Sequence, residues 1–146
     1  MDTVRMWMSS PAISAPQTLT LPEARELMRQ YHIRRLPVVD ESGDLVGIVT
    51  EGDIAKISDS PVTDVRDYNL YYRIRNLPIH EIMTRHVISV AVDTPIISVA
   101  QLLLEHRIGG VPVVDQNRLV GVITESDLFR LIVQRQSQEA WRSVHG

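Results

Sequence analysis

The sequence contains no cysteine among its 146 residues, which excludes disulfide bonds, thiolate catalysis and cysteine-ligated zinc or iron–sulfur sites. No apolar run approaches the ~18–20 residues needed to cross a membrane. The first ten residues lack the apolar core and the basic leader of a secretory signal. The formal net charge is −3, whereas proteins that bind a nucleic-acid backbone usually carry a basic face. We therefore expect a cytoplasmic protein that binds neither nucleic acid nor membrane.

What the sequence does contain is an internal repeat. Shifted by 75 residues, segment 8–40 aligns without a gap on segment 83–115, and nine of the 33 positions are identical. At an offset of 74, "LVGIVTEGD" (45–53) aligns with "LVGVITESD" (119–127), and six of nine positions match. Self-similarity of this length predicts two copies of one unit of roughly 50 residues. The predicted boundaries are residues 1–57 for repeat 1, 58–79 for a linker, and 80–146 for repeat 2 with a C-terminal helix.

Each copy predicts the same order of elements. The triplets "AIS" (12–14) and "VIS" (87–89) begin short strands, and a helix follows each of them. In copy one, Thr20 and Glu23 form a capping-box pattern. In copy two, the helix runs from about Pro95 to Arg107. Two β-branched runs then flank a turn ("ESGD" or "QNR"), and a second helix closes the unit. The core of one such unit is too small to stand alone, so we expect the two copies to pack face to face.

These motifs resemble those of the CBS domain, which occurs as tandem pairs called Bateman modules. The resemblance rests on the leading Met8 and Met83, on "LPVVD" and "VPVVD", and on "GIVTEGD" and "GVITESD", and it covers about residues 4–57 and 80–133. It implies a mixed α/β (α+β) fold of two pseudo-symmetric β-α-β-β-α repeats packed through their sheets. It also implies that adenosine-containing ligands (AMP, ADP, ATP or S-adenosylmethionine) bind in clefts between the repeats and regulate an attached or partner protein. Without an attached enzyme or transporter domain, the chain resembles the stand-alone members, and its regulated partner is unknown.

The Thr and Asp residues that both copies keep have two explanations. The hydroxyl of Thr50 and the carboxylate of Asp53 can satisfy backbone amides at the start of a helix, which makes them a cap. The same helix N-terminus attracts phosphate, a Thr hydroxyl can donate to it, and an acidic residue can accept hydrogen bonds from ribose hydroxyls. The resemblance assigns Thr50 and Thr124 to phosphate and Asp53 and Asp127 to ribose.

The resemblance also implies an apolar adenine slot in each copy. The slot residues in copy one are Ala12, Ile13, Leu36 and Pro37, and those in copy two are Val87, Ile88, Val111 and Pro112. These apolar side chains are equally consistent with plain core. Gly47 and Gly121 suit a close backbone approach where the strand passes beneath each site.

The copies differ in the residues before "PVVD". Copy one has Arg34 and Arg35, where forked, charge-assisted bonds to phosphate are expected, although a solvated basic turn explains them as well. Copy two has Gly109 and Gly110 instead. The two sites should therefore not bind identically.

A homodimer is expected from the helices that begin at Glu51 and Glu125. In the family, two pairs join through these helices, and a twofold arrangement is the commonest oligomer. The apolar residues of these helices exceed what one small pair can bury; they are Ile54, Ile57, Leu128, Leu131 and Ile132.

Three functional hypotheses remain at this point. The first is a nucleotide-sensing regulatory module, and the second is a structural or protein-interaction module with no small-molecule ligand. The third, an enzyme, has the least support, because the sequence has no Ser-His-Asp context and no Gly-rich phosphate loop. None of the five histidines has helical metal-ligand spacing with another. We expect no catalytic residue, no metal and no cofactor beyond a regulatory adenine nucleotide.

Overall fold

A computed structural model describes residues 1–58 and 68–145, so residues 59–67 of the predicted linker lie outside the described residues. The helices are α1 (Val4–Trp7), α2 (Leu21–Tyr31), α3 (Glu51–Ser58), α4 (Tyr68–Arg75), a short 3₁₀ helix (Ile79–Glu81), α5 (Ile96–His106) and α6 (Glu125–His145). The strands are β1 (Ala15–Pro16), β2 (Arg35–Val39), β3 (Leu45–Thr50), β4 (Val90–Ala91), β5 (Gly110–Asp115) and β6 (Arg118–Thr124). None of these helices is both long enough and apolar enough to cross a membrane.

The chain divides into two compact units. The repeat-1 unit is Ile13–Val87, and the repeat-2 unit is Met1–Ala12 together with Ile88–Gly146. Each unit contains one three-stranded sheet, in the order β1-β2-β3 or β4-β5-β6. In both sheets the first pair is parallel and the second is antiparallel. The predicted mixed α+β fold of two equivalent repeats is therefore confirmed.

Each sheet packs a helix against its apolar face and has its own core. The core of the repeat-1 unit consists of Ala15, Leu21, Ala24, Met28, Leu36, Val38, Val49, Ile54, Ile79 and Met83. The core of the repeat-2 unit consists of Val4, Val90, Val92, Ile96, Val99, Leu103, Val111, Val113 and Ile123. The buried residues of α2 are Leu21, Ala24 and Met28, which recur at helical spacing on one face.

The predicted helix boundaries are close to those observed. The Thr20 N–H donates to Glu23 Oε1 at 3.2 Å, as in a capping box, and the Thr20 hydroxyl donates to the same oxygen at 2.6 Å. These two hydrogen bonds, led by the one from the hydroxyl, lower the pKa of Glu23. In the second repeat, α5 is flanked by Pro95 and by Arg107, which is left-handed with φ 55°.

The hairpin turns were also predicted correctly, although they differ in type. In repeat 1, Asp40 Oδ1 accepts hydrogen bonds from the Ser42 hydroxyl, the Asp44 N–H and the Ser42 N–H. These bonds lower the pKa of Asp40. In repeat 2, the turn is the two-residue loop Gln116–Asn117, and both residues have positive φ (50° and 70°). Two consecutive positive φ values match the twist of a tight hairpin.

The predicted starts of the first strand in each repeat were wrong by three residues. "AIS" and "VIS" precede the strands, and the ladders begin at Ala15, opposite Val38, and at Val90, opposite Val113. The reason is that a two-residue parallel strand is defined by its partner and not by its own apolar pattern. Ile13 and Ile88 instead pack against the cores without joining the ladders.

The residues that lead into repeat 1 pack in the repeat-2 unit, and the residues that lead into repeat 2 pack in the repeat-1 unit. Val4 is fully buried in the repeat-2 core, where its N–H donates to the Thr94 carbonyl at 2.9 Å. At the equivalent place 75 residues later, Ile79 is fully buried in the repeat-1 core, and its N–H donates to the Leu19 carbonyl at 2.8 Å. The compact units therefore do not follow the repeat boundaries read from the sequence.

The two strand glycines allow these leading segments to approach closely. A Cβ on Gly47 would clash with Met83 Sδ, and a Cβ on Gly121 would lie 2.8 Å from the Ser9 carbonyl oxygen and 2.9 Å from Met8 Sδ. The contact partners are the two leading methionines of the repeat. The close approach predicted at both glycines is present, and it is made to the leading segments.

The apolar residues expected to form a dimer surface are mostly used within the chain. Ile54 belongs to the repeat-1 core, and Ile57, Leu128 and Leu131 pack partly buried against the two cores. Of the five, only Ile132 is largely exposed. On α6 it forms an exposed apolar surface with Phe129 and Val133, which we call the α6 apolar face; the exposed fractions of Phe129, Ile132 and Val133 are 61%, 57% and 63%.

Candidate functional site

In repeat 1, the candidate site lies where β3 meets α3. The Thr50 N–H donates to Asp53 Oδ2 at 3.0 Å, and the Asp53 N–H donates to Thr50 Oγ1 at 3.1 Å. This reciprocal pair is the capping box that the sequence predicts. Because Thr50 Oγ1 accepts in this arrangement, its hydroxyl proton remains available to an outside acceptor.

The two arginines of copy one lie beside this junction. The Glu51 N–H, at the first residue of α3, donates to the Arg34 carbonyl at 2.8 Å. Arg35 is directly opposite Thr50 in the antiparallel β2–β3 ladder. Residues directly opposite in such a ladder have neighbouring side chains on one face. The structure therefore brings together Arg35, Thr50 and Asp53, and it places the backbone of Arg34 at the same junction.

In repeat 2, the junction between β6 and α6 has the same residues but a different hydrogen-bond pattern. The Thr124 N–H donates to Asp127 Oδ2 at 2.8 Å, and here the Thr124 hydroxyl also donates to that oxygen, at 3.3 Å. The other carboxylate oxygen, Oδ1, accepts from Arg130 Nη2 at 2.7 Å. Asp127 is only 3% exposed. Its burial is tolerated because both oxygens are hydrogen-bonded.

Gly110 replaces the basic side chain opposite the second threonine. It pairs with Thr124 in the β5–β6 ladder, and the Gly109 carbonyl accepts from the Glu125 N–H at 3.0 Å. The backbone geometry of the two junctions is thus equivalent. The difference is that repeat 2 has no side chain where repeat 1 has two guanidinium groups.

The proposed adenine-slot residues are divided between core and surface-accessible positions. Leu36, Pro37, Val111 and Pro112 are fully buried side chains. In this structure these four residues therefore belong to the cores. Ile13 and Ile88 are partly buried against the same cores.

The first proposed slot residue of each copy lies in the compact unit of the other copy. Ala12 ends the leading segment of the repeat-2 unit, and Val87 ends the repeat-1 unit. Both are partly buried. The repeat-1 unit by itself thus contains Ile13, Leu36 and Pro37 of the proposed copy-one slot.

The sequence reasoning missed Arg130 and its neighbours. Arg130 follows Asp127 by three residues, a spacing at which opposite charges on a helix meet, and this was the available signal. Arg130 also donates to the Trp7 carbonyl at 3.4 Å, a contact across 123 residues that no local pattern reveals. Nearby, Asp2 forms an ion pair with Arg135. The leading segment is therefore joined to α6 by two arginines.

Metal-ligand chemistry finds no support in the described part of the chain. Among residues 1–58 and 68–145, no group of three or more His, Asp or Glu side chains is placed to hold a metal ion. What both junctions offer is a helix N-terminus, a threonine hydroxyl and a carboxylate.

The fold and these junctions define a tandem module of two β-α-β-β-α repeats, each with a Thr–Asp pair at the start of its last helix. The chain belongs to the CBS domain family, whose family model matches residues 4–60 and 79–134. The sequence-based resemblance, which covered about residues 4–57 and 80–133, is confirmed.

Among known proteins, the chain is 31% identical to a CBS domain-containing protein of Dictyostelium discoideum over 132 residues, which are 90% of this chain and 91% of that protein. It is 39% identical over 126 residues to the L-aspartate semialdehyde sulfurtransferase of Methanocaldococcus jannaschii. That match covers 85% of this chain but 22% of the sulfurtransferase, so the chain spans about a fifth of that relative.

Two solved structures show the same fold. The CBS domain pair of protein MJ0100, in complex with 5′-methylthioadenosine and S-adenosyl-L-methionine, is 37% identical with a TM-score of 0.74, and the match covers 92% of this chain and 98% of that one. A structure described as a putative acetoin utilization protein (AcuB) from Vibrio cholerae is 29% identical with a TM-score of 0.81, and the match covers 96% of both chains. CBS domain pairs of this kind are in general regulatory modules.

Proposed function

We propose that this chain is a regulatory module that senses an adenosine-containing ligand, such as AMP, ADP, ATP or S-adenosylmethionine, and has no catalytic activity of its own. The ligand's ribose hydroxyls would donate to the junction aspartate, and its phosphate or other anionic group would meet the threonine hydroxyl and the helix N-terminus. Binding would be transmitted to an attached or partner protein whose identity the chain does not reveal.

The observation that carries this proposal is the geometry of the repeat-1 junction. A hydroxyl proton, a half-buried carboxylate and the N-terminus of α3 converge there, and Arg35 is opposite Thr50 in the ladder. Arginine makes forked, charge-assisted bonds to phosphate. A helix cap alone requires no arginine at this position.

The ligand class is further supported by the MJ0100 CBS domain pair. That protein, 37% identical to this chain, holds 5′-methylthioadenosine and S-adenosyl-L-methionine. Both molecules share an adenosine moiety with intact ribose hydroxyls. The shared chemistry argues for an adenosine-containing ligand here and leaves the group attached at the 5′ position open.

A second candidate function is a structural or protein-interaction module without a small-molecule ligand. The specific observation in its favour is that the junction residues already satisfy each other as helix caps, since Thr50 and Asp53 exchange two hydrogen bonds. Residues kept only as caps would give the same repeated sequence.

Calorimetry with AMP and 2′-deoxy-AMP, which differ only in the ribose 2′-hydroxyl, distinguishes the two functions. We expect AMP to bind, and 2′-deoxy-AMP to bind several-fold more weakly, because the deoxy sugar loses one hydrogen bond to Asp53. Asp53→Asn should weaken AMP binding by about tenfold or more, since charge-assisted bonds are worth roughly 1.5–3 kcal/mol. The asparagine oxygen can still accept from the Thr50 N–H, so the unfolding temperature should change little.

The control for this experiment is a thermal-shift screen of the wild type with AMP, ADP, ATP, S-adenosylmethionine and 5′-methylthioadenosine. A ligand at 100-fold over its dissociation constant adds ~2.7 kcal/mol to the free energy of unfolding, which is readily measured. If no member of the panel shifts the midpoint, the interaction module without a ligand is the better description. The same holds if AMP and 2′-deoxy-AMP bind alike and Asp53→Asn leaves both affinities unchanged.

A further inference from the structure

We propose that Arg130 acts as an internal competitor for the ribose-binding carboxylate of repeat 2, so that each chain binds one adenosine-containing ligand, at the repeat-1 junction. The proposal rests on the proposed function and adds which repeat binds and which residue decides it. Arg130 would be the residue that makes two nearly identical sequence motifs functionally different.

The first argument is the number of acceptor positions left on each aspartate. A carboxylate offers about four lone-pair positions. Asp127 already accepts three hydrogen bonds, from the Thr124 N–H, the Thr124 hydroxyl and Arg130 Nη2. Within the described residues, Asp53 accepts one, from the Thr50 N–H. A ribose diol needs two acceptor positions, which Asp53 retains and Asp127 does not.

The second argument is access to these positions. The side chain of Asp127 is 5% exposed, whereas Asp53 is only half-buried. A ribose that approached Asp127 would have to displace a charge-assisted bond of 2.7 Å from a buried carboxylate. Leaving the buried Asp127 without its partner carries a large cost, because a buried charge loses its compensation. The ion pair therefore favours the repeat-2 junction in which Arg130 binds Asp127, which we call the closed junction. We call the repeat-1 junction, where Lys56 takes the place of Arg130, the open junction.

The third argument is the direction of the threonine hydroxyl. At the open junction, Thr50 Oγ1 accepts from the Asp53 N–H and keeps its proton for a ligand. At the closed junction, the Thr124 hydroxyl donates to Asp127 Oδ2 and has used its proton. The phosphate side of the second junction is thus also weakened, and Gly110 supplies no cation there.

A fourth observation explains why Arg130 stays in place. Besides the bond to Asp127, Arg130 Nη2 also donates to the Trp7 carbonyl, so this nitrogen has two acceptors. At the offset of 74 residues, the position equivalent to Arg130 is Lys56 in repeat 1. A guanidinium is more weakly hydrated than an ammonium group and is therefore better suited to pair with a buried carboxylate.

The test is calorimetric stoichiometry with AMP and with 5′-methylthioadenosine on the full chain. We expect the wild type to bind one ligand per chain, Asp53→Asn to weaken binding at this site by about tenfold or more, and Asp127→Asn to leave its affinity unchanged. Arg130→Lys makes repeat 2 resemble repeat 1, and Arg130→Met keeps the aliphatic stem but removes the donors. Both variants should raise the stoichiometry from one to two. Arg142→Met, three turns along the same helix, is the matched control and should stay at one.

The outcomes separate this proposal from the proposed function. Two equal sites in the wild type, a single site that Asp127→Asn removes, or a stoichiometry of one in both folded Arg130 variants would each overturn the proposal and leave adenosine sensing intact. Absence of binding to the wild type and to both variants would overturn adenosine sensing, and this proposal with it. A thermal melt shows whether each variant is folded. If Arg130→Met is not folded, the stoichiometry of Arg130→Lys alone provides the test.

Discussion

Thr50 and Thr124 occupy the same position in the two repeats, yet their hydroxyls form opposite hydrogen bonds. One accepts from a backbone N–H and the other donates to a carboxylate. The sequence motif is therefore compatible with two local arrangements. In repeat 2, the next turn of the helix carries Arg130, which donates to Asp127 Oδ1. At the scale of single residues, the same residue at equivalent positions does not always form the same hydrogen bonds.

Substituting the two strand glycines tests how closely the leading segments approach. At Gly121, an added Cβ meets the Ser9 backbone oxygen at 2.8 Å, and a backbone atom cannot rotate away. At Gly47, an added Cβ meets Sδ and Cγ of Met83, which belong to a side chain that can change its rotamer. We expect Gly121→Ala to cost about 1–3 kcal/mol of stability, within the usual range for overpacking, and Gly47→Ala to cost less.

Urea unfolding of both glycine variants at one pH measures this difference. The control is Gly52→Ala, since a Cβ there meets only Thr50 Oγ1, at the ordinary contact distance of 3.8 Å. Equal losses of stability in Gly47→Ala and Gly121→Ala would contradict the expectation that contact of the new Cβ with a backbone atom, and not the loss of a glycine, determines the loss of stability.

At the scale of elements, the leading segments are the parts that the repeat pattern describes least well. The repeat alignment places Met8 and Met83 at the start of their own copies. In the structure, Met83 packs on Gly47 and Met8 packs on Gly121. Each segment therefore completes the core of the repeat on the other side of the boundary. This makes the folding of each unit depend on residues that are distant in the sequence.

The 3₁₀ helix at Ile79–Glu81 provides the test at this scale. Ile79 is fully buried in the repeat-1 core, although the sequence places it at the end of a linker. Ile79→Ala should lower stability by about 2–5 kcal/mol, because it removes buried methyl groups and leaves a cavity. Ile97→Ala is the matched control; Ile97 is 70% exposed on α5, so we expect a change within about 0.5 kcal/mol.

Chemical denaturation followed by circular dichroism measures both variants. If Ile79→Ala were no more destabilising than Ile97→Ala, the linker end would not be part of the repeat-1 core in solution. The predicted linker would then extend to residue 79, as the sequence alone suggests.

At the scale of the whole molecule, the question is what covers the α6 apolar face. Phe129, Ile132 and Val133 are each more than half exposed, and their spacing places them together on one side of the helix. Contiguous exposed apolar residues are typical of an interaction surface. A second copy of the chain, as expected from the family, would cover the same face on both partners in a twofold dimer.

Light scattering tests the dimer. We expect the wild type at micromolar concentration to have twice the chain mass of 16.5 kDa. Ile132→Asp should return the mass to that of one chain, because a buried carboxylate without a partner is costly at an apolar interface. Leu104→Asp, at a position 80% exposed on α5, is the control and should remain dimeric. A wild type of 16.5 kDa would contradict the prediction.

Much of the fold was readable from the sequence because it is encoded in local contacts. The capping bonds of Thr20 with Glu23 and of Thr50 with Asp53 join residues three positions apart. The turn at Gln116–Asn117 and the helical spacing of apolar residues are likewise local patterns. The repeat itself then identified the family. Interactions between residues that are a few positions apart can be recognised in a single sequence.

The tertiary structure alone decided the features that depend on distant partners. The strand β1 begins at Ala15 because Val38 lies beside it, not because of the apolar triplet before it. Arg130 is held through the carbonyl of Trp7, 123 residues away. Contacts of this kind follow from how the chain folds back on itself, and nothing in the local sequence encodes them. The repeated Thr–Asp motif was therefore visible from the start, but the different hydrogen bonds of its two copies are seen only in the folded chain.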